Sequence, residues 1–181
     1  MKWRTDNTKI SPGTLIETLV VCLICERRPL WKVQEFWKKQ DWEKLFEGTP
    51  VTPEKLNDDA YGEALEKLAK ADATRIVSEI SMTLLTAHDL PIDQVHLDTT
   101  SKSVEGVYNN DRFGEFCITK GFSKDHRPDL KQIKIGLGTD RRGLPLMGQI
   151  LSGNKPDPQW DVESVQWMNS FFHEKGYEEL V

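Results

Sequence analysis

The chain has 181 residues, 38% of them hydrophobic and 29% charged, with a formal net charge of -5, a balance that allows one good core or two small ones and excludes a disordered chain. No run approaches the roughly 18 consecutive apolar residues of a membrane span, and the opening Met1-Lys2-Trp3-Arg4-Thr5-Asp6 lacks a signal peptide's apolar stretch, so a cytoplasmic protein without a membrane partner is expected. Three cysteines make no disulfide framework, and the acidic balance excludes a protein that coats nucleic acid by bulk charge.

The first half reads as helices. Ser11 is an N-cap with Pro12 at the first helical position, and Leu15, Ile16, Leu19, Val20, Leu23 and Ile24 recur at helical spacing, which predicts a core helix that is apolar on a wide face. Arg27-Arg28-Pro29 ends it, and Leu30, Val33, Phe36 and Trp37 carry a second helix as far as Lys39. Thr52-Pro53-Glu54 caps a short turn. Asn57 or Asp58 then caps a helix with Tyr61, Ala64, Leu65 and Leu68 on one face, and a last helix, broadly apolar and therefore buried, runs from about Ala73 to Ala87.

At Leu90-Pro91 the texture changes. Gln94 to Val104 is rich in β-branched residues and partly alternates, predicting a central strand. Phe116 to Thr119 and Ile133 to Leu137 follow as strands, and Thr139-Asp140-Arg141-Arg142-Gly143 turns the chain into Leu144 to Leu151, which makes an antiparallel meander. Beyond the loop Gly153-Asn154-Lys155-Pro156-Asp157-Pro158, Val162, Val165, Met168, Phe171 and Phe172 recur at helical spacing. The domain boundary is expected near His88 to Asp93, giving a helical domain over 1–90 and an α/β domain over 91–181.

Asp98 is the most informative residue, because a carboxylate on a central strand is costly unless it is paired or binds a metal; the plainer reading is a strand-end residue capping a turn. Positive charge concentrates from Lys120 to Arg142, where seven Lys/Arg face three Asp. Within that run lies the polar loop Gly121-Phe122-Ser123-Lys124-Asp125-His126-Arg127-Pro128-Asp129-Leu130-Lys131-Gln132, whose Lys124, His126, Arg127 and Lys131 are candidate contacts for DNA phosphates; its plainer reading is a solvated connection of mixed charge. Cys22 and Cys25 form a C-x-x-C, but both lie in an apolar helical run without a second such pair, so a structural role is expected. Arg27, Arg28, Lys32, Lys38 and Lys39 read as a solvated surface sooner than a DNA-binding face. Asp157, Asp161 and Glu163 stand at a helix start, where capping is the expected role.

Taken together, His96-Leu97-Asp98-Thr99-Thr100-Ser101, the loop Gly121 to Gln132, Gly143-Leu144-Pro145-Leu146 and Gly153-Asn154 resemble, in order and spacing, the DDE transposases of the insertion-sequence-four superfamily. Ser11-Pro12-Gly13, Arg28-Pro29-Leu30 and Thr52-Pro53-Glu54-Lys55-Leu56-Asn57-Asp58-Asp59 resemble the helical domain that precedes the core in one branch of these enzymes. The resemblance implies an α+β protein: an N-terminal helical domain followed by an incomplete ribonuclease-H-like α/β core with an antiparallel meander. It makes Asp98 the first of three carboxylates that hold two Mg²⁺ or Mn²⁺ ions for in-line phosphoryl transfer on DNA at insertion-sequence ends. The second aspartate is expected at the end of the strand after the helix of Met168 and Phe172, and the glutamate much further on. The sequence stops at Val181 before either, so no cleavage and no stably bound metal are expected of this chain alone. A homodimer, or a downstream chain that completes the sheet, is the expected partner besides DNA; the alternatives are a non-enzymatic DNA-binding or dimerisation fragment, which could inhibit a full-length transposase, and an inert remnant.

Overall fold

In the computed structural model, which describes residues 10–49, 51–108, 112–113, 116–123 and 126–176, the chain divides into two compact units, Met1–Asp72 and Ala73–Val181.

In the first unit Ser11 accepts a hydrogen bond from the Thr14 N–H at 3.1 Å and Pro12 follows, so α1 runs Pro12–Cys25. A 3-10 turn (Leu30–Lys32), α2 (Val33–Trp37), α3 (Trp42–Leu45), a second 3-10 turn (Pro53–Lys55) and α4 (Asp58–Ala69) complete it. The expected helix from Leu30 to Lys39 is thus a 3-10 turn that passes into one short α-helix. Asn57 caps α4 by accepting from the Ala60 N–H at 2.9 Å. The core gathers Leu15, Leu19 and Cys22 of α1 with Val33, Phe36, Trp37, Phe46, Val51, Leu56, Tyr61 and Ala64, and Trp37 meets Phe36 and Phe46 edge-on with ring centroids 5.1 and 5.4 Å apart. Two buried hydroxyls are satisfied in series. Thr18 donates to the Leu15 carbonyl at 2.7 Å, so the Tyr61 hydroxyl 3.0 Å away donates to Thr18. Only one side of α1 is buried; Val20, Leu23 and Ile24, which the sequence placed in the core, face solvent.

The second unit is α5 (Ala73–Ala87), β1 (Val95–Val104), β2 (Arg112–Phe113), β3 (Phe116–Cys117), β4 (Lys131–Asp140), β5 (Pro145–Ser152) and α6 (Asp157–Glu174). The described residues therefore form an α+β protein with six α-helices and a three-stranded antiparallel sheet in the order β1-β4-β5, while β2 and β3 pair as a small hairpin. The strand carrying Asp98 was expected to be central. Among the described residues β1 is an edge strand, with Asp98 opposite Leu137 of β4.

The division at Asp72 also places α5 with the sheet, where the sequence grouped it with the N-terminal helices. The change of texture at Leu90-Pro91 precedes β1 and does not mark the start of the unit. The physical reason is a set of bonds to β5: Thr74 donates to the Gly148 carbonyl at 3.0 Å, Ser81 donates to the Pro145 carbonyl, and Met82 and Leu85 enter the core beneath. These serine and threonine hydroxyls satisfy carbonyls along the outer side of β5, the kind of cover that keeps a sheet edge from pairing with another chain.

On the buried face α6 contributes Trp160, Met168, Phe171 and Phe172 against Leu146, Met147 and Leu151 of β5. Val162 and Val165, predicted for this face, are exposed, because the true stripe runs Trp160, Ser164, Met168, Phe171. The Trp160 ring lies on Gly136 of β4: a Cβ there would come within 2.3 Å of the ring. Its indole N–H donates to Gln149 at 3.0 Å, which fixes the ring in that place. Gly136→Ala is therefore expected to lower stability by about 1–3 kcal/mol through overpacking, read as a lower urea midpoint at unchanged slope; a midpoint equal to wild type would mean that the ring moves aside freely.

Candidate functional site

Side chains alternate across β1. His96, Asp98, Thr100 and Lys102 point to the open face of the sheet, and Leu97, Thr99 and Ser101 to the face covered by α6. Asp98 is exposed in the middle of its strand, so it neither carries the burial cost expected of it nor caps a strand end. Its carboxylate accepts from the Thr99 N–H at 2.8 Å and has no cationic partner among the described residues. Around it on the same face stand Leu137 and Ile135 of β4 and Ile150 of β5, all exposed.

Behind Asp98 the covered face holds a charged group. Lys134 of β4, level with Ser101, is only 7% exposed, and its ammonium donates to Asp157 at 2.7 Å and to the Lys155 carbonyl at 2.8 Å. The same Asp157 oxygen accepts from the Thr99 hydroxyl at 2.8 Å. Asp157 opens α6 just after Pro156, so this carboxylate joins the helix start to both β1 and β4. Sequence reading assigned Asp157 to capping and counted Lys134 in the concentration of positive charge from Lys120 to Arg142; no local signal separates a buried lysine from an exposed one in a strand of mixed polarity.

The corner next to β1 is built on Asp140, which pairs in register with Val95. Its buried carboxylate accepts from the N–H groups of Arg142 at 2.8 Å and Leu144 at 2.9 Å and from the Arg142 guanidinium at 2.7 Å, and Arg142 also donates to the Pro91 carbonyl at 2.7 Å. Burial pushes the Asp140 carboxyl up, but the Leu144 N–H, the Arg142 side chain and the Arg142 N–H outweigh it and hold the group below the usual carboxylate range.

The basic loop is anchored at its base. Gln132, almost fully buried, donates to the carbonyls of Phe122 at 3.0 Å and Gly153 at 2.7 Å, and a Cβ on Gly121 would meet the Gly153 carbonyl oxygen at 2.0 Å. Beyond the base, Ser123 accepts from the Arg127 N–H at 3.1 Å, and His126 is exposed with φ 56°. Arg127 makes a fork with Asp129 at 2.9 and 2.8 Å, which holds the Asp129 carboxyl low and raises the guanidinium. Lys131 donates to the Tyr108 carbonyl. Lys124 lies outside the described residues. Since Asp98 is paired with Leu137, six residues along β4 from Lys131, the two predicted features sit about 20 Å apart at strand spacing. The structure does not bring them together.

Residues 2–82 match the family model of a domain of unknown function, DUF4277, a domain found in transposase-like proteins. No curated protein and no solved structure matches the chain. The DUF4277 match runs through the helical unit and into α5 as far as Met82, and takes in neither Asp98 nor the basic loop. No helix among the described residues is long and apolar enough to cross a membrane.

Two measurements separate structural from exposed carboxylates. Asp157→Ala leaves the Lys134 ammonium without its counter-charge and is expected to cost about 1–3 kcal/mol, whereas Asp98→Ala should stay within about 0.5 kcal/mol of wild type in the same urea titration. For Asp140, whose folded pKa is depressed, the stabilisation is present above the unfolded value near 4 and is lost as pH falls below it toward the folded pKa. Wild type should thus lose stability in that acid window more steeply than Asp140→Asn; parallel pH profiles would show that the carboxylate is not protected by folding.

Proposed function

We propose that this chain is part of a DNA transposase, acting in the cytoplasm at the ends of an insertion sequence, and that Asp98 is one carboxylate of its phosphoryl-transfer site on a ribonuclease-H-like sheet. The observation that carries this reading is the position of Asp98: mid-strand, side chain on the open face, without a cation partner among the described residues. A carboxylate so placed can reach a ligand, where Asp140 and Asp157 are already committed to arginine, lysine and threonine. The match of residues 2–82 to a domain found in transposase-like proteins agrees with this reading and covers neither Asp98 nor the basic loop.

A two-ion centre needs several hard oxygen ligands around ions about 4 Å apart. The described residues offer no group of three or more His, Cys, Asp or Glu that could hold an ion, so Asp98 does not form such a centre by itself. Under this reading the ions would be Mg²⁺ or Mn²⁺, and other carboxylates would have to join Asp98.

DNA would be held by the loop bearing Lys124, His126, Arg127 and Lys131. Arg127 contributes to phosphate binding through Nη1, since Nε and Nη2 are engaged by Asp129. The test is fluorescence anisotropy with duplexes from the ends of the element that encodes the chain and with scrambled duplexes, across a salt series. Tighter binding to the end sequences, a linear fall of log affinity with log salt, and a loss of about 3- to 10-fold in Arg127→Ala with none in Asp98→Ala are expected. Equal, weak binding to both duplexes would sink the reading.

A further inference from the structure

Helix α1 is apolar beyond what its own unit buries. From Pro12 to Cys25 its only charged residue is Glu17, and its apolar residues spread beyond the stripe that one buried face needs. The unit covers Leu15, Thr18, Leu19 and Cys22. On the opposite side Val20 is 47% exposed, Leu23 48% and Ile24 80%.

We propose that this face of α1 is an interface with a second copy of the same chain, the two α1 helices packing antiparallel about a two-fold axis level with residue 22. The occupant follows from charge and symmetry. Val20 and Ile24 lie equally far on either side of residue 22, Glu17 lies further toward the helix start, and Arg27 follows the extended C-cap Glu26 just past the helix end. An antiparallel self-pairing about that level sets Val20 of each copy against Ile24 of the other, leaves the two Leu23 side chains flanking the axis, and brings each Glu17 to the other copy's Arg27. Glu17 and Arg27 have no ion-pair partner among the described residues, whereas the neighbouring Arg28 is engaged by Glu26 and Glu35. The pattern is self-complementary, as an isologous contact requires. One helix face is small for a specific interface, so a weak, concentration-dependent association is expected. It is independent of any DNA chemistry.

The test is sedimentation equilibrium of the full chain. A monomer–dimer equilibrium is expected. Ile24→Glu, at a position already exposed in the folded unit, should abolish it with an unchanged circular dichroism spectrum. Glu17→Arg and Arg27→Glu should each weaken it about tenfold through like-charge contacts, and the double variant should restore it. Ile80→Glu, at an exposed apolar position on α5, should leave it intact. A monomer at all concentrations, equal loss in Ile80→Glu, or failure of the double variant to rescue would each overturn the proposal.

Discussion

Lys134 sits on the covered face of β4, and the way α6 meets the sheet follows from the need to neutralise it there. An ammonium taken from water costs several kcal/mol unless a counter-charge and hydrogen-bond acceptors surround it. Asp157 supplies the charge and Lys155 a carbonyl, and both belong to the segment that leads into α6, so the helix must start at this point of the sheet. Two residues along β4, Gly136 leaves room for Trp160, one turn into the same helix. The ammonium and the glycine together fix the position and the rotation of α6. Because Thr99 shares the Asp157 oxygen, the strand that carries Asp98 is held by the same bond.

Much of the local structure was legible because it depends on local chemistry. Ser11 and Asn57 as caps, Pro12 at a helix start and the strand from Val95 to Val104 are decided by a few neighbouring residues. What the sequence reading misplaced depends on distant partners. Val162 and Val165 look like core residues at helical spacing, but Gly136 draws Trp160 inward and turns the stripe by part of a turn. Helix α5 belongs to the sheet through bonds from Thr74 and Ser81 to β5, which are 74 and 64 residues away. No composition change at residue 72 announces them.

The concentration of basic residues between Lys120 and Arg142 is a weaker sign of nucleic-acid binding than its count suggests. Arg127, Lys134, Arg141 and Arg142 each pair with an aspartate: Asp129, Asp157, Asp93 and Asp140. Two of those acids lie outside the run, so a count confined to it overstates the field that a phosphate would meet. Buried Gln132 and the close approach of Gly121 to Gly153 hold the base of the loop, while His126 and Arg127 are exposed.

The alternation of β4 runs opposite to the usual rule. Gln132, Lys134, Gly136 and Gly138 face the covered side, and Ile135 and Leu137 face the open one. A one-residue slip of register would reverse this and bury the isoleucines, but it would also expose the Lys134–Asp157 pair and drive side chains into Trp160, so the polar and glycine contacts decide the register against the apolar pattern. The consequence falls on Asp98, which stands among Ile135, Leu137 and Ile150. Any layer that covered those residues would also strip water from the carboxylate. A carboxylate in that setting is costly unless it is protonated or meets a cation, so under the proposed reading a covering layer would have to bring a cation to Asp98.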